Sequence, residues 1–162
     1  MELLYLYISP GHNFRGRHDG SPGTHPIHEM AEVECVTGRG LRGDRYFDYQ
    51  PDFKGQITFF ADEVYQALCR RFDVFDRAPS AFRRNVITRG VDLNALVGKE
   101  FEIQGVQLLG TEPCQPCHWM DLAFGPGTEA ALRDQGGLRA KILTDGVLRV
   151  TENPGRPIAA RH

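Results

Sequence analysis

The sequence predicts a mostly β fold with peripheral helices, a β-barrel or closed, largely antiparallel sheet. Three observations point there. The apolar runs are short, aromatic or β-branched, and bounded by turn residues. Eighteen glycines and ten prolines in 162 residues favour a turn-rich chain over a helical bundle. Strands and helices do not follow the regular alternation of a βαβ protein.

The elements follow in order. LLYLYIS, residues 3 to 9, is a strand candidate. A long turn-rich stretch, residues 10 to 30, holds four of the six histidines; loops of this length are usually functional or disordered. AEVECVT reads as a second strand, and the glycine-punctuated GRGLRGDRYF follows it. QITFF is a short strand. It leads into ADEVYQALCRRF, where Ala61, Val64, Tyr65, Leu68 and Phe72 recur at helical spacing, and Asp62 and Glu63 suit the first turn's dipole. RRNVITRG gives another strand. DLNAL is a helical turn before the strands FEIQ and VQLLGTE, which meet at Gly105. Thr128 can cap a short helix, TEAALRDQ, ended by Gly136-Gly137. RAKILTDGVLRV reads as a hairpin turning at Asp145-Gly146. Residues 154 to 162 look like a loose tail, and no repeat or linker divides the chain, so residues 1 to 162 are expected to form one domain.

Composition narrows the function classes. A net charge of −2 gives no support to nucleic-acid binding, and no apolar run approaches a membrane span. The N-terminus lacks the basic region and cleavage site of a secretory signal. Four cysteines are too few for a disulfide scaffold, so a reducing cytoplasm is the expected setting. Cys35 and Cys69 lie in apolar-periodic surroundings and read as small buried hydrophobes.

Chemistry concentrates in three stretches. The first, EPCQPCHWM, places prolines before both Cys114 and Cys117, which suits a loop at a strand end. A redox pair expects its C-x-x-C at a helix start in a βαβ context, which is missing. Zinc needs four ligands; one pair exists, with His118, His25 and His28 as weak supplements. The other two stretches are basic. RGLRGDRY sets Arg39, Arg42 and Arg45 around Gly40 and Gly43, with Asp44 between them. AFRRNVITRG carries Arg83, Arg84 and Arg89 with the amide Asn85. Glycines let a backbone approach a ligand closely, and guanidinium forks bind phosphate or carboxylate. Together these stretches suggest a pocket for an anionic ligand beside a reactive thiol.

In order along the chain, TGRGLRGDRY, KGQITF, RRNVITRGVDLNALVG and PCQPC resemble the MOSC domain, the module named after the C-terminal part of molybdenum cofactor sulfurase. The likeness is to the short, single-domain bacterial type and covers roughly residues 30 to 150. It implies a MOSC-type β-barrel with a cleft that binds a molybdopterin-type molybdenum cofactor or handles its sulfur. Carried over residue by residue, the implied cofactor contacts are Arg42, Gly43, Asp44, Arg45, Arg84, Asn85 and, as a lesser candidate, Thr88. The implied reactive thiol and molybdenum ligand is Cys117 or Cys114. Many relatives have histidine after G-D-R where this chain has Tyr46, and longer relatives carry an extra N-terminal β domain, so a more exposed cofactor is expected.

The implied activity is an oxidoreductase reducing N-oxygenated compounds, with an electron-donor protein as partner. One alternative is a sulfur carrier bearing a cysteine persulfide, supplied by a sulfur-donor protein. Another is a non-enzymatic, zinc-stabilised binding domain.

Overall fold

A computed structural model of the chain describes residues 1–14 and 20–151. The tail read at residues 154 to 162 lies outside the described residues. The elements run β1 (Glu2–Ile8), β2 (His28–Met30), β3 (Glu32–Val36), β4 (Gly40–Leu41), β5 (Ile57–Ala61), α1 (Asp62–Phe72), a 3-10 turn (Pro79–Phe82), β6 (Val86–Arg89), a second 3-10 turn (Leu93–Leu96), β7 (Glu100–Ile103), β8 (Val106–Pro113), α2 (Trp119–Ala123), α3 (Thr128–Ala131), β9 (Leu138–Ile142) and β10 (Gly146–Arg149).

Two sheets result. The larger has the spatial order β2-β1-β6-β5-β9-β8-β7, antiparallel except where β5 and β6 run side by side. Parallel neighbours need a crossover, and α1 with the 3-10 turn supplies it. The smaller sheet is β10-β3-β4. The large sheet curls against the small one around a core that includes Leu3, Leu6, Ile57, Phe59 and Leu138 from one and Val33, Cys35, Leu41 and Leu148 from the other. This is the β-rich architecture with outlying helices that the sequence predicts.

The central strands are apolar on both faces. Ile57 and Phe59 of β5 point into the inter-sheet core, while Phe60 joins Ile87, Leu68, Phe82 and Met120 beneath the helices. Pleat alternation sends neighbours to opposite faces, and the helices cover the outer one. Cys35 and Cys69 are buried as expected, each in one of these two clusters.

Two local expectations are corrected. The Asp145-Gly146 turn does not make a hairpin: β9 pairs with β5 and β8, whereas β10 pairs with β3. Asp145 accepts hydrogen bonds from the Thr37 N–H (2.7 Å) and hydroxyl (2.8 Å), which ties the turn to the end of β3 and hands the chain to the other sheet. The α-helix at 128–135 stops at Ala131, and Thr128 is its first residue rather than its cap. Its hydroxyl donates to the Gly125 carbonyl (2.6 Å) instead. β2, β4 and α2 had no clear sequence signal, being two to five residues long.

Candidate functional site

A cleft of about 370 Å³ opens where loops from both ends of the large sheet converge. It is lined from β1's exit by His12, Asn13 and Phe14, from the β4–β5 connection by Arg45, Tyr46, Phe53 and Gly55, and from β5 by Thr58. The approach to β6 adds Arg83 and Arg84, the exit of β8 adds Cys114 to Met120 apart from Pro116, and β9 adds Arg139. The cysteine loop and parts of both basic stretches therefore meet in one place.

The cysteine loop is fixed by backbone. The Cys114 N–H donates to the Gly137 carbonyl at 2.8 Å. That approach needs glycines. A Cβ on Gly136 would lie 2.4 Å from the Cys114 carbonyl oxygen, and one on Gly137 (φ +110°) 2.2 Å from that of Phe59. Gly136-Gly137, read from sequence as a helix stop, thus also seats the thiol loop against β5. All four cysteines are free thiols; Cys114 is buried and Cys117 half-buried. Residues 114–117 form no helix or turn, and α2 starts only at Trp119, unlike a dithiol redox pair at a helix start.

Four guanidinium groups face the cleft, and their partners differ. Arg45 pairs with the fully buried Asp44 carboxylate (3.2 Å), donates to the Arg83 carbonyl (2.9 Å) and stacks over Tyr46 at 4.8 Å. Arg139 pairs with Glu112 (3.1 Å), which Lys54 also approaches at 3.7 Å. Arg83 and Arg84 have no carboxylate within ion-pair distance among the described residues. Arg84 donates to the carbonyls of Gly136 (3.2 Å) and Phe82 (3.1 Å). Arg83, only 8% exposed, donates to the Ser9 hydroxyl (2.7 Å) and the Gly11 carbonyl (2.9 Å). Burial, then the neighbouring Arg45 charge, pushes the Arg83 guanidinium down to about 10, so it stays charged at neutral pH. No Asp or Glu side chain is among the residues lining the cleft. Two buried or half-buried cations thus sit there without a directly paired carboxylate among the described residues, Arg83 feeling the Asp44 charge only from beyond ion-pair distance, an arrangement that favours an anionic ligand.

Two clusters of aromatic rings line the cleft. His12, Tyr46 and Phe53 form one cluster, with Tyr46 stacked on Phe53 at 5.3 Å and His12 edge-on to Tyr46 at 5.0 Å. Phe14 stacks on Trp119 at 5.5 Å, and His118 leans on Trp119 at 4.6 Å. Such rings present flat apolar faces to a planar ring system.

The remaining sequence candidates fall elsewhere. Arg42 is half-exposed on the small sheet, bonded to Glu34 at 2.7 and 3.3 Å. Arg39 pairs with Asp48, and Arg89 with Asp62. Gly43 (φ +87°) forms the turn before Asp44, and Thr88 is fully buried in β6 with its hydroxyl toward the Phe60 carbonyl. Asn85 is 1% exposed. Its side-chain carbonyl accepts from the Thr58 N–H and hydroxyl, both at 3.0 Å, and its amide donates to Tyr7 (3.1 Å), so it knots β1, β5 and β6 beneath the cleft. Asp44 supports Arg45 from behind, accepting also from the Ser9 and Tyr46 N–H groups (3.0 and 3.2 Å).

Arg83 was visible in sequence only as one of a basic cluster. Arg139, His12 and Thr58 gave no signal of their own as site residues, because only folding brings their segments together, and Tyr46 stood out only as the residue in place of the relatives' histidine. Among the described residues, no group of three or more His, Cys, Asp or Glu side chains is positioned to hold a metal ion, so the zinc arrangement with Cys114, Cys117 and histidines lacks its ligand set there. No helix among them is long and apolar enough to cross a membrane.

Comparison with known proteins agrees with this architecture. The sequence profile of the MOSC domain matches residues 17–156. No curated protein matches the chain. Among solved structures, the YuaD protein from Bacillus subtilis superposes with a TM-score of 0.70 at 18% identity, over 92% of this chain and 91% of that one. YiiM from Geobacillus stearothermophilus gives 0.65 at 14% identity, over 91% and 70%. YiiM from Escherichia coli gives 0.58 at 17%, over 90% and 65%, so the chain spans about two thirds of that protein. At these identities the likeness is one of fold.

Proposed function

The chain belongs to the MOSC domain family, and from that premise we propose that its cleft binds a molybdenum–pterin cofactor and reduces N-oxygenated compounds. MOSC domains are associated with molybdenum-cofactor binding and sulfurase-type chemistry. The observation that carries the proposal is the pair Arg83 and Arg84, charged, facing the cleft and lacking any carboxylate partner among the described residues. A phosphate monoester carries up to two negative charges and would neutralise both.

The donor set fits the rest of such a group. A half-buried thiol on the same wall supplies the soft ligand that molybdenum prefers, and the aromatic rings suit a planar pterin. Cys117 is the favoured ligand: it is the more accessible thiol, whereas Cys114 is buried and its backbone is committed to Gly137. When bound, the cofactor would supply the oxygen-atom and electron-transfer chemistry. Arg83 and Arg84 hold its phosphate, with Arg45 adding charge from its Asp44-braced position. Trp119, Phe14, Tyr46 and Phe53 would shield from water the part of the cleft that they line. Reduction of a hydroxylamine to an amine consumes two electrons and two protons and releases water, so an electron-donor protein is the proposed partner.

A persulfide carrier would use the same thiols, but it leaves Arg83 and Arg84 without a ligand. The test is metal and pterin analysis of protein made in a cofactor-competent host, beside Cys114→Ala and Cys117→Ala. Stoichiometric molybdenum and pterin in the wild type, lowered by Cys117→Ala alone, supports the proposal. Wild-type protein free of both overturns it.

A further inference from the structure

Nothing in the sequence singles out Ser9, the residue following β1. It is wholly buried, and each of its polar groups holds a different part of the cationic wall. Its N–H donates to Asp44 Oδ1 at 3.0 Å, and its carbonyl accepts from the Arg45 N–H at 2.7 Å. Its hydroxyl donates to the Pro26 carbonyl at 2.7 Å while accepting from Arg83 Nη2 at 2.7 Å. The Gly11 carbonyl takes the second proton of the same Nη2 at 2.9 Å.

We propose that Ser9 is the positioning residue of the cleft's anion site: its hydroxyl aims the Arg83 guanidinium and so sets anion affinity. The proposal rests on the reading of the cleft as an anion site given above. The geometry explains why a hydroxyl is needed. The Pro26 carbonyl can only accept and Arg83 can only donate, so the group between them must donate one hydrogen bond and accept another. Alanine does neither. With Nη2 held by Ser9 and Gly11, and Nη1 reaching the His25 carbonyl only at 3.5 Å, the Nε–H has no acceptor among the described residues and remains for a ligand. The two backbone bonds of Ser9 survive in an alanine variant, so the Asp44 and Arg45 links persist and the strand end stays anchored.

The experiment is calorimetric titration of inorganic phosphate into cofactor-free wild type, Ser9→Ala, Ser9→Thr, Arg83→Gln and the double variant Ser9→Ala/Arg83→Gln, with each thermal midpoint recorded alongside. A hydrogen bond to a charged group is worth enough that Ser9→Ala is expected to weaken phosphate roughly tenfold. In the Arg83→Gln background the same change is expected to cost nothing further, because the group Ser9 acts through is gone. Ser9→Thr restores binding if the added methyl is accommodated; if it unfolds the protein, the double variant still decides. Equal weakening by Ser9→Ala with and without Arg83, or no weakening at all, overturns the role of Ser9 and leaves the anion site standing. Wild-type protein that binds no phosphate overturns the anion-site reading itself, and the Ser9 proposal with it.

Discussion

Replacing Asp44 with asparagine removes one negative charge and keeps the side chain's shape. The carboxylate is fully buried, pairs with Arg45 at 3.2 Å and accepts the Ser9 and Tyr46 N–H groups. An amide has one acceptor oxygen, which can keep Ser9 and Arg45, but its NH2 then faces the Tyr46 N–H. One orphaned donor costs about 1–3 kcal/mol, and breaking a buried charge pair by removing one partner costs about 3–5 kcal/mol. These overlap, because both count the loss of the same carboxylate, so the expected loss is about 3–4 kcal/mol. For a domain of this size that is roughly 10 °C in thermal midpoint. Circular dichroism melts with and without sulfate provide the assay. The variant's cleft carries three guanidinium charges without a carboxylate instead of two, so sulfate is expected to raise its midpoint more than the wild type's. A midpoint lowered by less than about 3 °C, with the same response to sulfate in both proteins, would refute the role of Asp44 as the buried counter-charge.

Two further outcomes follow from the packing. Burial, then the Glu34 charge, pushes the Cys35 thiol from its ordinary 9.0 up to about 12. Its contribution is intact below pH 9, where folded and unfolded chains both hold the proton, and is lost as pH climbs from 9 towards 12. Between pH 8 and pH 10, urea unfolding should show a loss in the wild type on the order of 1 kcal/mol beyond any loss in Cys35→Ala; the same pH dependence in both proteins would count against it. Gly137→Ala forces a side chain onto the Phe59 carbonyl at φ +110°, so a loss of about 3 kcal/mol or more in the same assay is expected. A near-neutral effect would mean that the thiol loop is not seated through that close approach.

Much of the fold was legible because it is locally encoded. The apolar runs at 3–9, 56–60 and 106–112 become β1, β5 and β8, and the helical spacing from Val64 to Phe72 becomes α1. What was not legible depends on partners far along the chain. An Asp-Gly turn fits a hairpin, but here Thr37, 108 residues away, donates to Asp145, and β10 pairs with β3 in the other sheet. Of the residues that the family likeness suggested, Arg45, Arg84, Cys114 and Cys117 line the cleft, whereas Arg42 and Thr88 do not. A short motif brings its glycines and strand residues along with its ligands, and sequence does not separate the two. Asn85 shows the difference: its amide is spent on three strands below the cleft. Ser9 and Arg139 were invisible for the opposite reason, being ordinary residues that acquire a role only from their neighbours in space.

On the proposed reading, Cys117 ligates the molybdenum of a cofactor whose phosphate the cleft's arginines hold. Molybdenum K-edge X-ray absorption on protein isolated from a cofactor-competent host tests it directly, beside Cys114→Ser and Cys117→Ser. Ligation by Cys117 requires one sulfur neighbour fewer in Cys117→Ser than in the wild type, and no change in Cys114→Ser. Wild-type protein without molybdenum, or the same sulfur count in all three, would contradict it.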